Sequence, residues 1–330
     1  MSLSRRELLK IGAAAGAGLA LDPRLSFAER PADFHQRPSV IRKPIPSSGE
    51  PVPVIGLGSS QTFNLTPQSP EWEPARQVLK LFRDLGGKVI DTAPSYGRSE
   101  AFIGETIQDL RIGEDLFLAT KLNVGNAGRQ AMVRQLENSF RVFGRTKVDL
   151  IQVWNLGGSI AQLTNAYLPL HMEVLTEWKK AGRIRYIGIT TSRDPQYADT
   201  EAALLKYPMD FVQLDYSIGD RIPEQRLLPV AREKGVAVIA NRPLTMGTTY
   251  STGNLFSRVS GKSLPSFAAE YDIKSWAQYF LKFVVSHPAV NVAIPGTGDP
   301  DHLRDNMGAG LGRLPDEAMR KRMAEYFAGL

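Results

Sequence analysis

No cysteine occurs in the 330 residues, which removes thiolate nucleophiles, zinc–thiolate sites and iron–sulfur clusters from the available chemistry. Nor does any stretch reach the ~18 consecutive apolar residues of a membrane-spanning helix, so a polytopic membrane protein is excluded. Histidine is scarce. His35, His171, His287 and His302 are the four, and none stands at the HxxxH or HExxH spacing of a metal-binding helix, so no metal site is expected. Charge is near balance, with 40 basic and 34 acidic residues giving a net +6. No dense basic run accompanies that excess, so no nucleic-acid partner is expected. What remains is ordinary globular material, 42% hydrophobic with 29 glycines and 22 prolines. That mixture excludes a disordered or collagen-like chain, and the length suits two modest domains or one large barrel.

The N-terminus reads Ser4-Arg5-Arg6-Glu7-Leu8-Leu9-Lys10, then a mildly apolar stretch over 11–21, then Ser26-Phe27-Ala28. A cationic start, an apolar middle and a small-x-small end form a bacterial export signal over residues 1–28, with cleavage after Ala28. The paired arginines resemble the twin-arginine type. The apolar stretch is too short and too rich in Ala and Gly to anchor the mature chain, residues 29–330, in a membrane. An amphipathic N-terminal helix is the alternative. The signal predicts a periplasmic or exported protein whose partner in transit is the twin-arginine machinery. That route is associated with passengers that fold around a cofactor before crossing, and a chain without cysteine suits an oxidising compartment.

Downstream, short β-branched runs alternate with segments of helical period. The runs cover 52–57, 88–91, 116–121, 148–155, 185–190, 211–216, 236–240 and 292–295. Helical patterns cover 75–85, 129–143, 169–181, 225–234 and 273–286, several closing on glycine at Gly86-Gly87, Gly144, Gly182 and Gly235. Eight buried strands, most followed by a helix, predict a single-domain α/β (β/α)₈ barrel of parallel strands. A doubly wound sheet is the alternative, but Gly56-Leu57-Gly58-Ser59-Ser60 lacks the third glycine of its usual fingerprint.

In such a barrel the site lies where strands end at their C-termini. The run 116–120 carries Lys121 into that mouth, where a lysine needs a partner to stay charged. Asp91, ending the preceding strand, can supply it, and Tyr96 is the neighbour on the same loop. A tyrosine beside an ammonium gives up its proton more readily and can act in acid–base catalysis. A surface ion pair with a packing tyrosine is the competing reading of these residues.

Those residues lie in Asp91-Thr92-Ala93-Pro94-Ser95-Tyr96-Gly97-Arg98-Ser99-Glu100, which resembles the DxAxxYGxSE segment of the aldo-keto reductases. Other similar segments follow in order: 52–58, Ala119-Thr120-Lys121, 149–155, 182–189, Val212-Gln213-Leu214-Asp215-Tyr216, and Ile294-Pro295-Gly296-Thr297 with Asp305-Asn306. The resemblance implies NAD(P)H-dependent reduction of a small aldehyde or ketone at the mouth of a (β/α)₈ barrel. By position it makes Tyr96 the general acid, Lys121 the group that lowers the Tyr96 pKa, and Asp91 the residue that holds Lys121. It makes Tyr216 a stacking partner of the nicotinamide and Gln213 a ligand of its carboxamide. Thr190, Arg242, Leu244, Gly296, Thr297, His302 and Asn306 complete the implied cofactor set.

Three departures from the family pattern stand out. The tetrad histidine after the fourth strand is Trp154 here, with Asn155 beside it in the implied substrate pocket. Indole donates one N–H and cannot relay a proton, and losing one positioned group costs on the order of 10²-fold in rate. Trp154 is therefore read either as a substrate contact in a slow or narrow enzyme or as a filler of the mouth. The family's Ser-Asn pair is Thr190-Thr191, which keeps the hydroxyl and loses the amide. Where many members carry Lys and Arg for the 2′-phosphate stand Gly296 and His302, so NADP(H) is expected with NAD(H) as the alternative. Arg242 either reaches the pyrophosphate or is a rim charge, and the loop over 245–265 either folds over the cofactor or is a plain surface loop. Three functions fit: an exported carbonyl reductase, an exported nucleotide-binding protein with weak or lost catalysis, and a double-bond reductase or isomerase variant.

Overall fold

Eight short segments, buried on both faces and apolar nearly throughout, build the architecture. The computed structural model describes residues 39–60, 62–154, 167–192, 196–246 and 254–330. The predicted signal segment, Asn155 and residues 247–253 of the long loop lie outside them. A two-stranded antiparallel hairpin, β1 (Arg42–Pro44) and β2 (Pro51–Pro53), comes first. The barrel follows as β3 (Leu57–Gly58), α1 (Trp72–Asp84), β4 (Val89–Asp91), α2 (Ser99–Asp109), β5 (Phe117–Leu122), α3 (Arg129–Phe143), β6 (Val148–Val153) and α4 (Leu168–Lys180). Then come β7 (Ile184–Thr190), α5 (Tyr197–Lys206), β8 (Phe211–Asp215), α6 (Leu227–Glu233), β9 (Ala237–Asn241), α7 (Leu255–Val259), α8 (Trp276–Val285), β10 (Val290–Ala293), α9 (Pro300–Gly308) and α10 (Glu317–Ala328).

Strands β3 to β10 lie in sequence order and pair in parallel. Parallel bridges Ile55–Ala293 and Gly58–Gly296 join the first strand to the last, which closes the (β/α)₈ barrel. The predicted first strand over 52–57 is divided. Pro51 and Pro53 have no N–H to donate to a ladder, so that part folds back as β2 and only its end enters the barrel.

Val89, Phe117, Ala119, Leu150, Tyr186, Phe211, Ala237, Ile239, Val292 and Ile294 fill the barrel, and Ile45 and Val52 of the hairpin plug its N-terminal end. Phe117 stacks on Tyr186 at 5.7 Å, and Tyr186 meets Phe211 edge-on at 5.5 Å. Glu50 in the hairpin turn ties the closure down, accepting from Lys88 at 2.8 Å, from the Tyr186 hydroxyl at 2.9 Å, and from Arg185. The intervening residues of each strand (Ile90, Leu118, Ile151, Ile189, Val212, Val238) face outward to the helices. Among the described residues no helix is long and apolar enough to cross a membrane.

Candidate active site

The alternation that fills the barrel also decides which polar residues reach its open end. On β4, Val89 points inward and so does Asp91; on β5, Phe117 and Ala119 set the phase that brings Lys121 inward. The Lys121 Nζ donates to Asp91 Oδ2 at 2.6 Å and to the Thr92 carbonyl at 2.9 Å. It lies 5.1 Å from the centroid of the Tyr96 ring and hydrogen-bonds that tyrosine. Burial pushes the Lys121 pKa down, but Asp91 and Tyr96 outweigh it and leave the ammonium above its ordinary value. Lys121 is therefore a fixed cation at neutral pH.

Tyr96 is held by a turn in which its N–H donates to the Ala93 carbonyl at 3.0 Å and its own carbonyl accepts from Ser99 N at 3.1 Å. Gly97 follows at φ +60°, pressed so close to Asn64 that a side chain would collide. Asn64 Oδ1 in turn accepts from Arg98 N at 2.9 Å, fixing the loop between β4 and α2. Glu100, from the same motif, faces away from the mouth. It lies behind β5, taking hydrogen bonds from Thr120 at 2.6 Å and Ser139 at 3.2 Å, and burial raises its pKa.

A cavity of about 230 Å³ opens above this cluster. Asp91, Tyr96, Arg242, Leu244 and Gly296 line it together with Ser59, Thr62 and Asn241. On its far side the Arg242 guanidinium pairs with Asp215 at 2.7 Å, and Asn241 donates to the other oxygen at 2.9 Å. Burial still lifts the Asp215 pKa to about 7, against the pull of Arg242. Arg242 has φ +49°, an uncommon conformation for a side-chain-bearing residue. Four buried polar atoms belong to residues at this end of the barrel and have no hydrogen-bond partner: Ser59 Oγ, Thr62 Oγ1, Thr190 Oγ1 and Gln152 Oε1. Among the described residues no three His, Asp or Glu side chains are grouped to hold a metal ion.

The implied cofactor set is divided by the same geometry. Thr190 follows Tyr186 and Gly188 in inward phase. Trp154, half-buried just past β6, follows Leu150 and Gln152 in the same way. Gln213 faces inward, but its amide nitrogen is engaged, donating to Asp91 Oδ1 at 2.8 Å. Thr297 turns its hydroxyl to the backbone of Asp299, His302 is exposed in the first turn of α9, and Asn306 is buried farther along that helix. None of these three lines the cavity.

Tyr216 requires a correction. It is fully buried, its hydroxyl lies at 2.5 Å from both Glu224 and Arg320, and its ring packs on Phe283 and His287. Phe211, Gln213 and Asp215 take the inward phase of β8, so Tyr216 falls on the helix side and cannot stack on a ring in the mouth. Tyr216 stands one residue past β8, on the side away from the mouth. Gln152 escaped the sequence reading, whereas Asn241, a polar residue ending an apolar run, stands at the mouth where such strand-end residues are expected. Counting back by two from Trp154 would have placed Gln152 inward.

A model described as the aldo/keto reductase family matches residues 54–324. Methylglyoxal reductase YeaE of Escherichia coli is 29% identical over 272 residues, covering 80% of this chain and 88% of that protein. Among solved structures, a thermostable aldo-keto reductase, Tm1743, in complex with epalrestat superposes with a TM-score of 0.68 at 26% identity. That match covers 86% of this chain and 99% of the other. An aldo/keto reductase from Klebsiella pneumoniae in complex with NADP and acetate has the same fold, with a TM-score of 0.64 at 24% identity over 84% and 93% of the two chains.

Proposed function

The chain belongs to the aldo/keto reductase family, and from that membership we propose that it reduces an aldehyde or ketone with NADP(H), Tyr96 giving the proton. The observation that carries this reading is the cluster at the mouth: a half-buried phenol bonded to a buried ammonium whose counter-charge is Asp91. When bound, the reduced nicotinamide supplies a hydride to the carbonyl carbon. Tyr96 passes its proton to the carbonyl oxygen as negative charge builds there, and Lys121 stabilises the phenolate that remains. Asp91 keeps Lys121 charged in an interior where an isolated ammonium would lose its proton. Solvent at the cavity then returns the proton to Tyr96.

The unpartnered Ser59, Thr62 and Thr190 hydroxyls fit a polar cofactor, because a buried hydroxyl without a partner is costly unless a ligand supplies one. Thr190 and the carbonyl oxygen of Gln213 suit the nicotinamide carboxamide, and Arg242 suits the pyrophosphate. The Klebsiella pneumoniae neighbour with NADP supports NADP(H). NAD(H) is favoured by one observation. The Asp299 carboxylate caps α9, accepting from Asp301 N at 2.7 Å and His302 N at 3.1 Å, so negative charge already sits beside His302, the position that the family resemblance gives to a 2′-phosphate cation. Comparing NADPH with NADH affinity by fluorescence quenching decides between them.

The twin-arginine-like start supports export to the periplasm with the cofactor already held. Trp154 favours a second reading, in which the nucleotide is bound but carbonyl turnover is weak, lost or replaced by double-bond reduction or isomerisation. The test is to purify the exported protein and follow absorbance near 340 nm while adding small aldehydes. Consumption that Tyr96→Phe abolishes supports the reductase. Reduced cofactor that no aldehyde consumes supports the second reading and overturns the first.

A further inference from the structure

Asp91 is bonded by more than its lysine. While Oδ2 faces Lys121, Oδ1 accepts from Gln152 Nε2 at 2.9 Å as well as from Gln213 Nε2 at 2.8 Å. Gln152 is fully buried, one inward step below Trp154 on β6, and in register with Lys121 on β5 and Gly188 on β7. It has room there because residue 188 lacks a side chain: a Cβ at Gly188 would stand 3.2 Å from the Gln152 Cγ and 2.9 Å from the Phe211 carbonyl. The amide can be oriented only one way, since its oxygen turned to the carboxylate would meet like partial charge. That orientation leaves Oε1 unpartnered. Gln152 thus satisfies Asp91 at the expense of its own acceptor, which costs stability.

We propose that Gln152 is a positioning residue for proton transfer at Tyr96, pinning the Asp91 carboxylate so that Oδ2 alone engages Lys121. This rests on the reading of Tyr96 as the proton donor. Without the amide, Oδ1 keeps only the Gln213 donor, and the more loosely held carboxylate can turn toward the ammonium with both oxygens. The Lys121 charge is then spent on Asp91, and the phenolate of Tyr96 loses its support. The charged groups around this cluster are Lys121 and Asp91, Glu100 behind β5, and the Asp215–Arg242 pair across the cavity.

The test begins with the protein alone. Tyrosinate absorbance near 295 nm, taken as the difference between each protein and its Tyr96→Phe counterpart, isolates the titration of Tyr96. Gln152→Met keeps the bulk and removes the donor. It should move the Tyr96 midpoint up by about half a pH unit or more, and lower kcat for an aldehyde about tenfold with KM nearly unchanged. Gln152→Glu can donate only while protonated, so its kcat should approach the parent's at acid pH and fall away as pH rises. A Gln152→Met protein with the parent's tyrosinate titration and kcat overturns the proposal. Should that variant fail to fold, a Gln152→Glu protein whose tyrosinate titration and pH profile match the parent's overturns it equally. A parent that reduces no aldehyde strikes the functional reading instead, and the tyrosinate titration still decides the role of Gln152.

Discussion

The two ends of the barrel handle buried polarity in opposite ways. At the N-terminal end, Glu50 of the hairpin takes bonds from Lys88, Arg185 and Tyr186, and Tyr186 also bonds Ser48. At the C-terminal end, four polar atoms of Ser59, Thr62, Gln152 and Thr190 are buried without a partner. Both ends belong to the same strands, so the difference is not one of fold. A protein optimised only to be stable would satisfy its buried polar groups at both ends. The closed end does so; the open end carries cost that a polar ligand can recover. Changes at the mouth should therefore move turnover or ligand affinity more than melting, and changes at the hairpin should do the reverse.

The largest expected effect is at Trp154. Trp154→His restores a group able to donate and relay a proton and should raise kcat for aldehydes on the order of 10²-fold, measured by cofactor oxidation, with little change in melting. Unchanged turnover would remove Trp154 as the brake on the reaction. At the closed end, Glu50→Gln weakens several charge-assisted bonds and should cost about 1–3 kcal/mol in urea unfolding. Its activity per folded molecule should be unchanged, and a loss of activity would break the contrast between the ends.

Asp215 gives a pH-dependent prediction at the mouth. Its folded pKa of about 7 lies above the value of 3.8 for the free side chain. The folded state therefore holds more protons across that window, and this residue's contribution to stability is complete below it and lost as pH rises through about 7. The slope is at most about 1.4 kcal/mol per pH unit. Urea unfolding at several pH values between 4 and 8 should show Asp215→Asn without that component of the parent's decline. The smallest effect is at Thr190. Thr190→Val should weaken nicotinamide nucleotide binding about three- to tenfold in titration while leaving the melting temperature of the free protein unchanged or slightly raised.

Much of the fold was readable from the chain. Runs of β-branched residues spaced by helical periods identify eight βα units, because a strand buried on both faces has to be apolar throughout. The segment around Asp91, Tyr96 and Lys121 was readable through its resemblance to a family motif, while the residue types alone fitted a surface ion pair beside a packing tyrosine equally well. Tyr216 was not. Its motif matched, but the motif carries no information on which of two faces a residue takes, and that phase is set by Phe211 packing into the barrel. Gln152 escaped for the converse reason: a lone glutamine in an apolar run looks like an interruption until Asp91, 61 residues earlier, is brought to it.

By itself the sequence determined the barrel, through local periodicity, and the family, through the resemblance of its ordered segments, and that resemblance singled out Asp91, Tyr96 and Lys121 as one candidate group. Only the tertiary structure decided that Gln152 and Gln213 converge on Asp91, that Tyr216 turns outward, and that Asp215 pairs with Arg242 at the mouth. Those outcomes depend on the register between strands distant in sequence. Register is settled when the whole interior packs at once, a condition that no single segment contains.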